Sequence, residues 1–204
     1  MHNYNIEESI RKDNKLYNES FIKSLKIKDV EISETYKSKY KALLNDNNPF
    51  QTVWFKNIDR LMVSIEDLIN IKDYHLLDVG SGLGFSTIYF KEKFKFKTYQ
   101  GFDYDSYLVK KSQRIADQIY KNNTIKFFHA DAADFYLEDN KSYVLFIFNS
   151  FGKKTMKKFL SNNLKNLKKN KGIILYCNDH HYTEINSYES FCRDDFYNLS
   201  TFFF

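Results

Sequence analysis

Residues 76–84 read Leu76-Leu77-Asp78-Val79-Gly80-Ser81-Gly82-Leu83-Gly84. A short apolar run that ends in glycines is the pattern of a strand buried on both faces of a parallel sheet. Glycine lets the backbone turn with positive φ and lets a ligand approach the main chain where any Cβ would collide. In an open α/β sheet such a loop leaves the carboxyl end of its strand where ligands bind, near the point at which strand order reverses. The spacing then discriminates between ligands. A dinucleotide fingerprint, G-x-G-x-x-G, would need glycine at position 85, and Phe85 stands there. The acid at the strand end, Asp78, suits a ligand carrying an ammonium group and would repel a pyrophosphate.

Outward from this loop the pattern alternates. Strand-like runs at 74–79, 96–102, 124–129, 143–148 and 172–177 are separated by helical patterns at 86–93, 106–121 and 153–169. Alternation of this kind predicts an α/β fold, a doubly wound and mostly parallel sheet. Upstream, Ile58, Leu61, Met62, Ile65, Leu68 and Ile69 recur at helical spacing and predict an amphipathic helix over 52–70. Two apolar runs near the C-terminus, 185–191 and 196–204, predict an antiparallel edge hairpin. Residues 1–48 are polar, with apolar positions at Ile6, Ile10, Phe21, Ile22 and Leu25 and again at Tyr36, Tyr40, Leu43 and Leu44. They predict an N-terminal helical extension or lid of two or three helices. The only proline, Pro49, interrupts the helical pattern, so the Rossmann-like domain is expected to span 49–204.

A second acid belongs at the end of the next strand, about 20 residues on, where it can accept from ribose hydroxyls. Asp103 supplies it, 21 residues after Gly82. After the third strand, Asp131 and Ala132 stand where a carboxylate could accept from an adenine amine and an amide could meet a ring nitrogen. Taken singly, the loop could be a plain strand-to-helix turn, Asp103 a helix cap and Asp131 a turn residue. Three acids at three successive strand ends, with the triple-glycine loop, point instead to one adenosyl ligand with a cationic tail.

On these residues, over about 50–178, the chain resembles the class I (Rossmann-like) S-adenosylmethionine-dependent methyltransferases. It looks most like small bacterial members whose fourth strand ends in Asn-Pro-Phe. It is similar there also to the non-SET histone lysine methyltransferases, which carry an Asn-rich turn at that point. The turn here reads Phe148-Asn149-Ser150-Phe151-Gly152 and lacks the proline. The resemblance implies S-adenosyl-L-methionine as cofactor, with Asp78, Gly80, Ser81, Gly82, Gly84, Asp103, Asp131, Ala132 and Asn149 as its binding residues. Asn149 is also a candidate catalytic residue, since its carbonyl could hold an amine donor; a turn-forming asparagine is the plain alternative. Asn178-Asp179-His180-His181 follows the fifth strand. His180 and His181, or Asp179, could act as base for a hydroxyl acceptor. Thr52 is expected to cap the upstream helix and Trp54 to line the pocket.

Composition narrows the partners. Hydrophobic residues make up 43% and aromatics 18%, enough for a packed core. The charge is +5, but only Arg11, Arg60, Arg114 and Arg193 offer the bidentate fork that phosphate sites favour, so a nucleic-acid partner is not expected. The two cysteines, Cys177 and Cys192, do not match a zinc spacing, and no metal is expected. No run approaches the roughly 18 apolar residues of a membrane span, and no signal peptide is visible; a cytoplasmic protein is expected. The acceptor expected is an oxygen or nitrogen of a small molecule, such as a sugar or glycan precursor. A protein lysine or other amine is the alternative, as is a non-catalytic cofactor-binding module.

Overall fold

The computed structural model describes residues 8–28, 46, 51–121 and 124–204. The apolar runs become strands β1 (His75–Val79), β2 (Thr98–Asp103), β3 (Ile125–His129), β4 (Tyr143–Phe148), β5 (Ile173–Cys177), β6 (Ser190–Asp194) and β7 (Leu199–Phe203). The helices are α1 (Glu8–Ser24), α2 (Phe55–Val63), α3 (Phe85–Lys93), α4 (Ser106–Ile119) and α5 (Lys153–Lys169). The strands form one sheet in the order β3-β2-β1-β4-β5-β7-β6. Strands β1 to β5 are parallel, and β7 runs antiparallel to both β5 and β6. The expected hairpin therefore forms, with its second strand inserted beside β5 and its first strand at the edge.

Side chains alternate across the sheet, as the two-residue period of a strand requires. Leu76, Val144, Phe146, Ile173 and Leu175 face a layer built by α1, α2, α3 and α4, with Ile58, Met62, Ile88, Phe90 and Ile115 buried against them. Leu77, Val79, Leu145, Ile147, Ile174 and Tyr176 face the other way, onto Met156, Phe159 and Leu167 of α5. Each large apolar side chain removed from water in this way contributes roughly 1.5–3 kcal/mol. Phe55 and Tyr89 stack at 4.6 Å between α2 and α3, and Phe21 of α1 meets both rings edge-on. Of the apolar positions in the N-terminal pattern, Ile6, Tyr36, Tyr40, Leu43 and Leu44 lie outside the described residues.

Three expectations need correction. The upstream helix is shorter than 52–70: it ends at Val63, after which tight turns carry the chain to Ile69 and leave Leu68 exposed. Thr52 does not cap it. Asn18 of α1 does, taking the Phe55 N–H on Oδ1 at 3.0 Å and donating Nδ2 to the Val53 carbonyl at 2.7 Å. The apolar run 185–191 is mostly loop, because no α-helix follows β5 and this segment itself covers the second face. There Ile185 is buried, Tyr182 stacks on Phe191, and Phe191 stacks on Phe202.

Candidate active site

The reversal of strand order falls between β1 and β4, and a cleft opens over their carboxyl ends. Its lining includes Asp78, Gly80, Ser81, Gly82, Phe85 and Ser86 from the glycine loop and the start of α3. Phe102, Asp103, Tyr104 and Leu108 come from β2 and α4, Ala130, Asp131 and Ala132 from the end of β3. Phe148, Asn149, Ser150 and Phe151 follow β4, and Gln51, Thr52 and Val53 approach from the N-terminal side.

The loop is held from both sides. The amides of Gly80 and Ser81 donate to the Phe102 carbonyl at 2.9 and 2.8 Å, and the Gly82 amide donates to Asp103 Oδ2 at 2.9 Å. Gly80 and Gly82 have φ of 78° and 54°. A Cβ on Gly80 would lie 2.5 Å from the Ser150 Cβ, so glycine there lets the loop touch the β4 turn. Ser150 closes that contact by donating its hydroxyl to the Val79 carbonyl at 2.6 Å. Gly84 sits apart from the cleft lining. Its glycine is needed for packing, because a Cβ would meet the Phe127 ring at 2.4 Å.

The two deep carboxyls are almost wholly shut off from water. Asp78 is 2% exposed and accepts from the Thr87 hydroxyl at 2.8 Å; burial, reinforced by the nearby Asp103 charge, pushes it up to about 7. Asp103 is pushed up to about 6, again chiefly by burial, against the lowering effect of the Asp105 and Gly82 amides that it accepts. Asp131 is exposed and accepts from the Ala133 amide at 2.8 Å, so it shapes its turn while lining the cleft. Among the described residues, the buried hydroxyl of Ser81, another lining residue, has no hydrogen-bond partner.

On the acceptor side, Asn149 donates Nδ2 to Gln51 Oε1 at 3.0 Å and receives Asn178 Nδ2 on Oδ1 at 3.3 Å. His180 and His181 do not join the lining. The reason is the turn after β5: the His180 amide folds back on the Asn178 carbonyl and the Tyr182 amide on Asp179, carrying the chain away from the cleft. Asp179 is not available as a base either. It is 1% exposed and clamped by Arg193 Nε at 2.7 Å and Nη2 at 3.1 Å, with Ser200 donating as well. Trp54 does not join this lining; it lines a groove beside α1 that adjoins the cleft at Gln51 and Thr52. Cys177 is buried and its thiol is pushed up to about 12, while among the described residues no three His, Cys, Asp or Glu side chains group to hold a metal. Among the same residues no helix is long and apolar enough to cross a membrane.

Several lining residues were not singled out from the sequence. Tyr104, Leu108, Gln51 and Ser150 carry no spacing signal of their own, although Ser150 directly follows Asn149. Thr87, which holds Asp78, falls in the first turn of α3, where a hydroxyl facing the strand end is a recognisable position.

Residues 76–170 match the family described as methyltransferase domain. Over that stretch, a little under half of the chain, the sequence is similar to that family, and the fold is Rossmann-like. The PH0226 protein from Pyrococcus horikoshii is 14% identical, with 74% of this chain and 91% of that one covered at a TM-score of 0.52. The YcgJ protein from Bacillus subtilis is 17% identical, covering 58% and 50% at 0.46. An S-adenosylmethionine-dependent methyltransferase from Thiobacillus denitrificans, solved with S-adenosyl-L-homocysteine, is 19% identical, covering 59% and 47% at 0.43. The chain thus spans about half the length of the last two. No curated protein matches the sequence.

The residues of the cleft fit S-adenosylmethionine. Two carboxyls that burial holds toward the neutral form would gain from a ligand offering an ammonium group and hydroxyl donors. Among the described residues the buried Ser81 hydroxyl has no hydrogen-bond partner, and a polar group of the ligand would supply one.

Proposed function

We propose that the chain transfers a methyl group from S-adenosylmethionine to a nitrogen of a small-molecule acceptor. The observation that carries the reading is the pair of buried carboxyls, Asp78 and Asp103, at the ends of β1 and β2 in one cleft with the glycine loop. Asp78 is assigned to the ammonium group, Asp103 to the ribose hydroxyls, Asp131 and Ala132 to the adenine. Gly80, Ser81 and Gly82 give the close main-chain approach. S-adenosylmethionine, when bound, supplies a methyl already activated by sulfonium, so the protein's task is to align the acceptor in line and exclude water.

Nitrogen is favoured over oxygen because of what surrounds the acceptor. Gln51, Asn149, Ser150 and Phe151 line that side, and none of them takes a proton near neutral pH. A hydroxyl acceptor would need such a base. An amine enters as the free base, attacks through its lone pair, and afterwards gives its extra proton to water. The Asn149 bond to Gln51 ties two of these lining residues together, and we read the acceptor as a small molecule. Asp46 docks on the turn after β4, its carbonyl accepting the Gly152 amide at 2.6 Å.

Thermal shift with S-adenosylhomocysteine and with NAD tests the cofactor. Stabilisation by the former alone is expected, and stabilisation by NAD alone overturns the reading. Incubation with S-adenosylmethionine and a panel of amino sugars, other glycan precursors and lysine peptides, read by product mass, tests the acceptor. Methylation of hydroxyl-only sugars would refute the nitrogen assignment.

A further inference from the structure

The groove beside α1 shares Gln51 and Thr52 with the cleft, so the two are continuous where the chain approaches from the N-terminal side. It encloses about 980 Å³, room for a small molecule. Among its described lining residues, Arg11, Lys15, Glu19 and Lys23 follow at four-residue spacing along one face of α1, and Lys26 stands just past the helix end. Four cations there accompany one acid. Lys15 pairs with Glu19 at 3.9 Å and Arg11 has an interaction of its own, but Lys23 and Lys26, both exposed, keep the lining positive even with those two neutralised. Trp54, Ile22 and Ile27 add an apolar wall. The wall is fixed in place, because the two Asn18 hydrogen bonds to the start of α2 hold α1 where it lies.

We propose that this groove is the subsite for an anionic group of the acceptor, so that the molecule methylated is an amine carrying a phosphate or a carboxylate at its far end. The proposal rests on the reading that the cleft holds S-adenosylmethionine. A lining of this charge repels a simple ammonium ion and draws in an anionic group. The same positive charge disfavours the protonated form of an amine held near it, which lowers the amine's pKa and helps it react as the free base. The apolar wall takes the carbon frame between the two groups. Lysine ammoniums are point charges without the planar fork of arginine, so Lys23 and Lys26 suit either anion.

Calorimetry at low salt on the full chain saturated with S-adenosylhomocysteine, with pyrophosphate and citrate as probes, distinguishes a phosphate subsite from a carboxylate one. One or both should bind with a dissociation constant of about 1 mM or tighter. Lys23→Gln combined with Lys26→Gln should weaken that binding at least about fivefold while leaving S-adenosylhomocysteine affinity within about twofold. Glu19→Gln, which removes the acid and releases Lys15, should tighten it at least about twofold, a gain that misfolding cannot produce. Lys165→Gln combined with Lys168→Gln, at exposed positions of α5, removes the same charge elsewhere and should change it by less than about twofold. No binding of either anion, displacement of the anion by S-adenosylhomocysteine, unchanged affinity in either groove variant, or an equal loss in the α5 variant would overturn the proposal. If the parent chain binds the anions but not S-adenosylhomocysteine, the cofactor reading itself fails, and the groove is an anion site with no methyl donor beside it.

Discussion

Ligand binding to this cleft should depend on pH in a direction fixed by Asp78. Its carboxyl, raised to about 7 by burial, is largely protonated at pH 5 and largely ionised at pH 7.5. An ammonium-bearing ligand binds the ionised form, so each ligand bound at low pH must first displace a proton. With a free-state value near 7 and a bound-state value below 5, affinity should rise about 80-fold from pH 5 to pH 7.5, or about 2.6 kcal/mol. Asp103, raised to about 6, adds to the rise at the acid end. The sign is opposite for the ligand-free protein. A carboxyl whose folded value exceeds its unfolded one contributes stability that is fully present below the unfolded value and is lost as pH climbs through the folded value. Between pH 4 and 7 these two groups therefore lower the melting temperature, and ligand should restore it most at the upper end. Calorimetric titration with S-adenosylhomocysteine at pH 5, 6, 7 and 7.5, in buffers of different ionisation enthalpy, measures both affinity and protons released. Asp78→Asn should flatten the profile above pH 6. An affinity that is level, or that falls with rising pH, would refute the assignment of Asp78 to a cationic group.

Gly80→Ala puts a methyl 2.5 Å from the Ser150 Cβ at φ 78°, and should cost roughly 1–3 kcal/mol with a severe loss of S-adenosylhomocysteine binding. Urea denaturation and calorimetry check this, and parent-like values in both would count against the loop contact. Asn18→Ala leaves the buried Phe55 amide and the Val53 carbonyl without their partner and should cost about 1–3 kcal/mol in urea unfolding; a change under about 0.5 kcal/mol would mean that α1 does not cap α2 in solution. Arg193→Met strands the Asp179 carboxylate and should cost about 3–5 kcal/mol, most of it recovered by adding Asp179→Leu. Equal losses in the single and double variants would show that the ion pair is not what matters there.

The strands and the glycine loop were legible because their signals are local. A strand buried on both faces must be apolar throughout, so β1, β4 and β5 stand out at 75–79, 143–148 and 173–177, and the three acids follow at fixed offsets. Contacts between distant residues were not legible. The cap on α2 comes from Asn18, 37 residues before Phe55, and Asn149 meets a residue 98 positions earlier. Nothing in the composition of either segment announces such a pairing. Asp131 shows the limit differently: the same carboxyl shapes a turn and lines a cleft, so its two readings from sequence were never alternatives.

The segment after β5 links the fold to the chemistry. No α-helix follows β5, so residues 178–189 have to cover the second face of β5, β7 and β6 themselves. That demand explains Ile185, Tyr182 and Tyr188, whose side chains pack against Phe191, Phe202 and the core beneath. It also explains Asp179 and Arg193. A covering loop with one turn of 3-10 helix, Tyr182–Glu184, gains from an anchor, and a carboxylate buried at its root, bound by Arg193 and Ser200, ties it to both strands of the hairpin. A segment so engaged cannot also turn its histidines into the cleft. Gln51, Asn149, Ser150 and Phe151 line the cleft at the end of β4, and Asn178 of this segment meets that lining through Asn149. Any change that swung His180 or His181 inward would first have to break the Asp179 anchor.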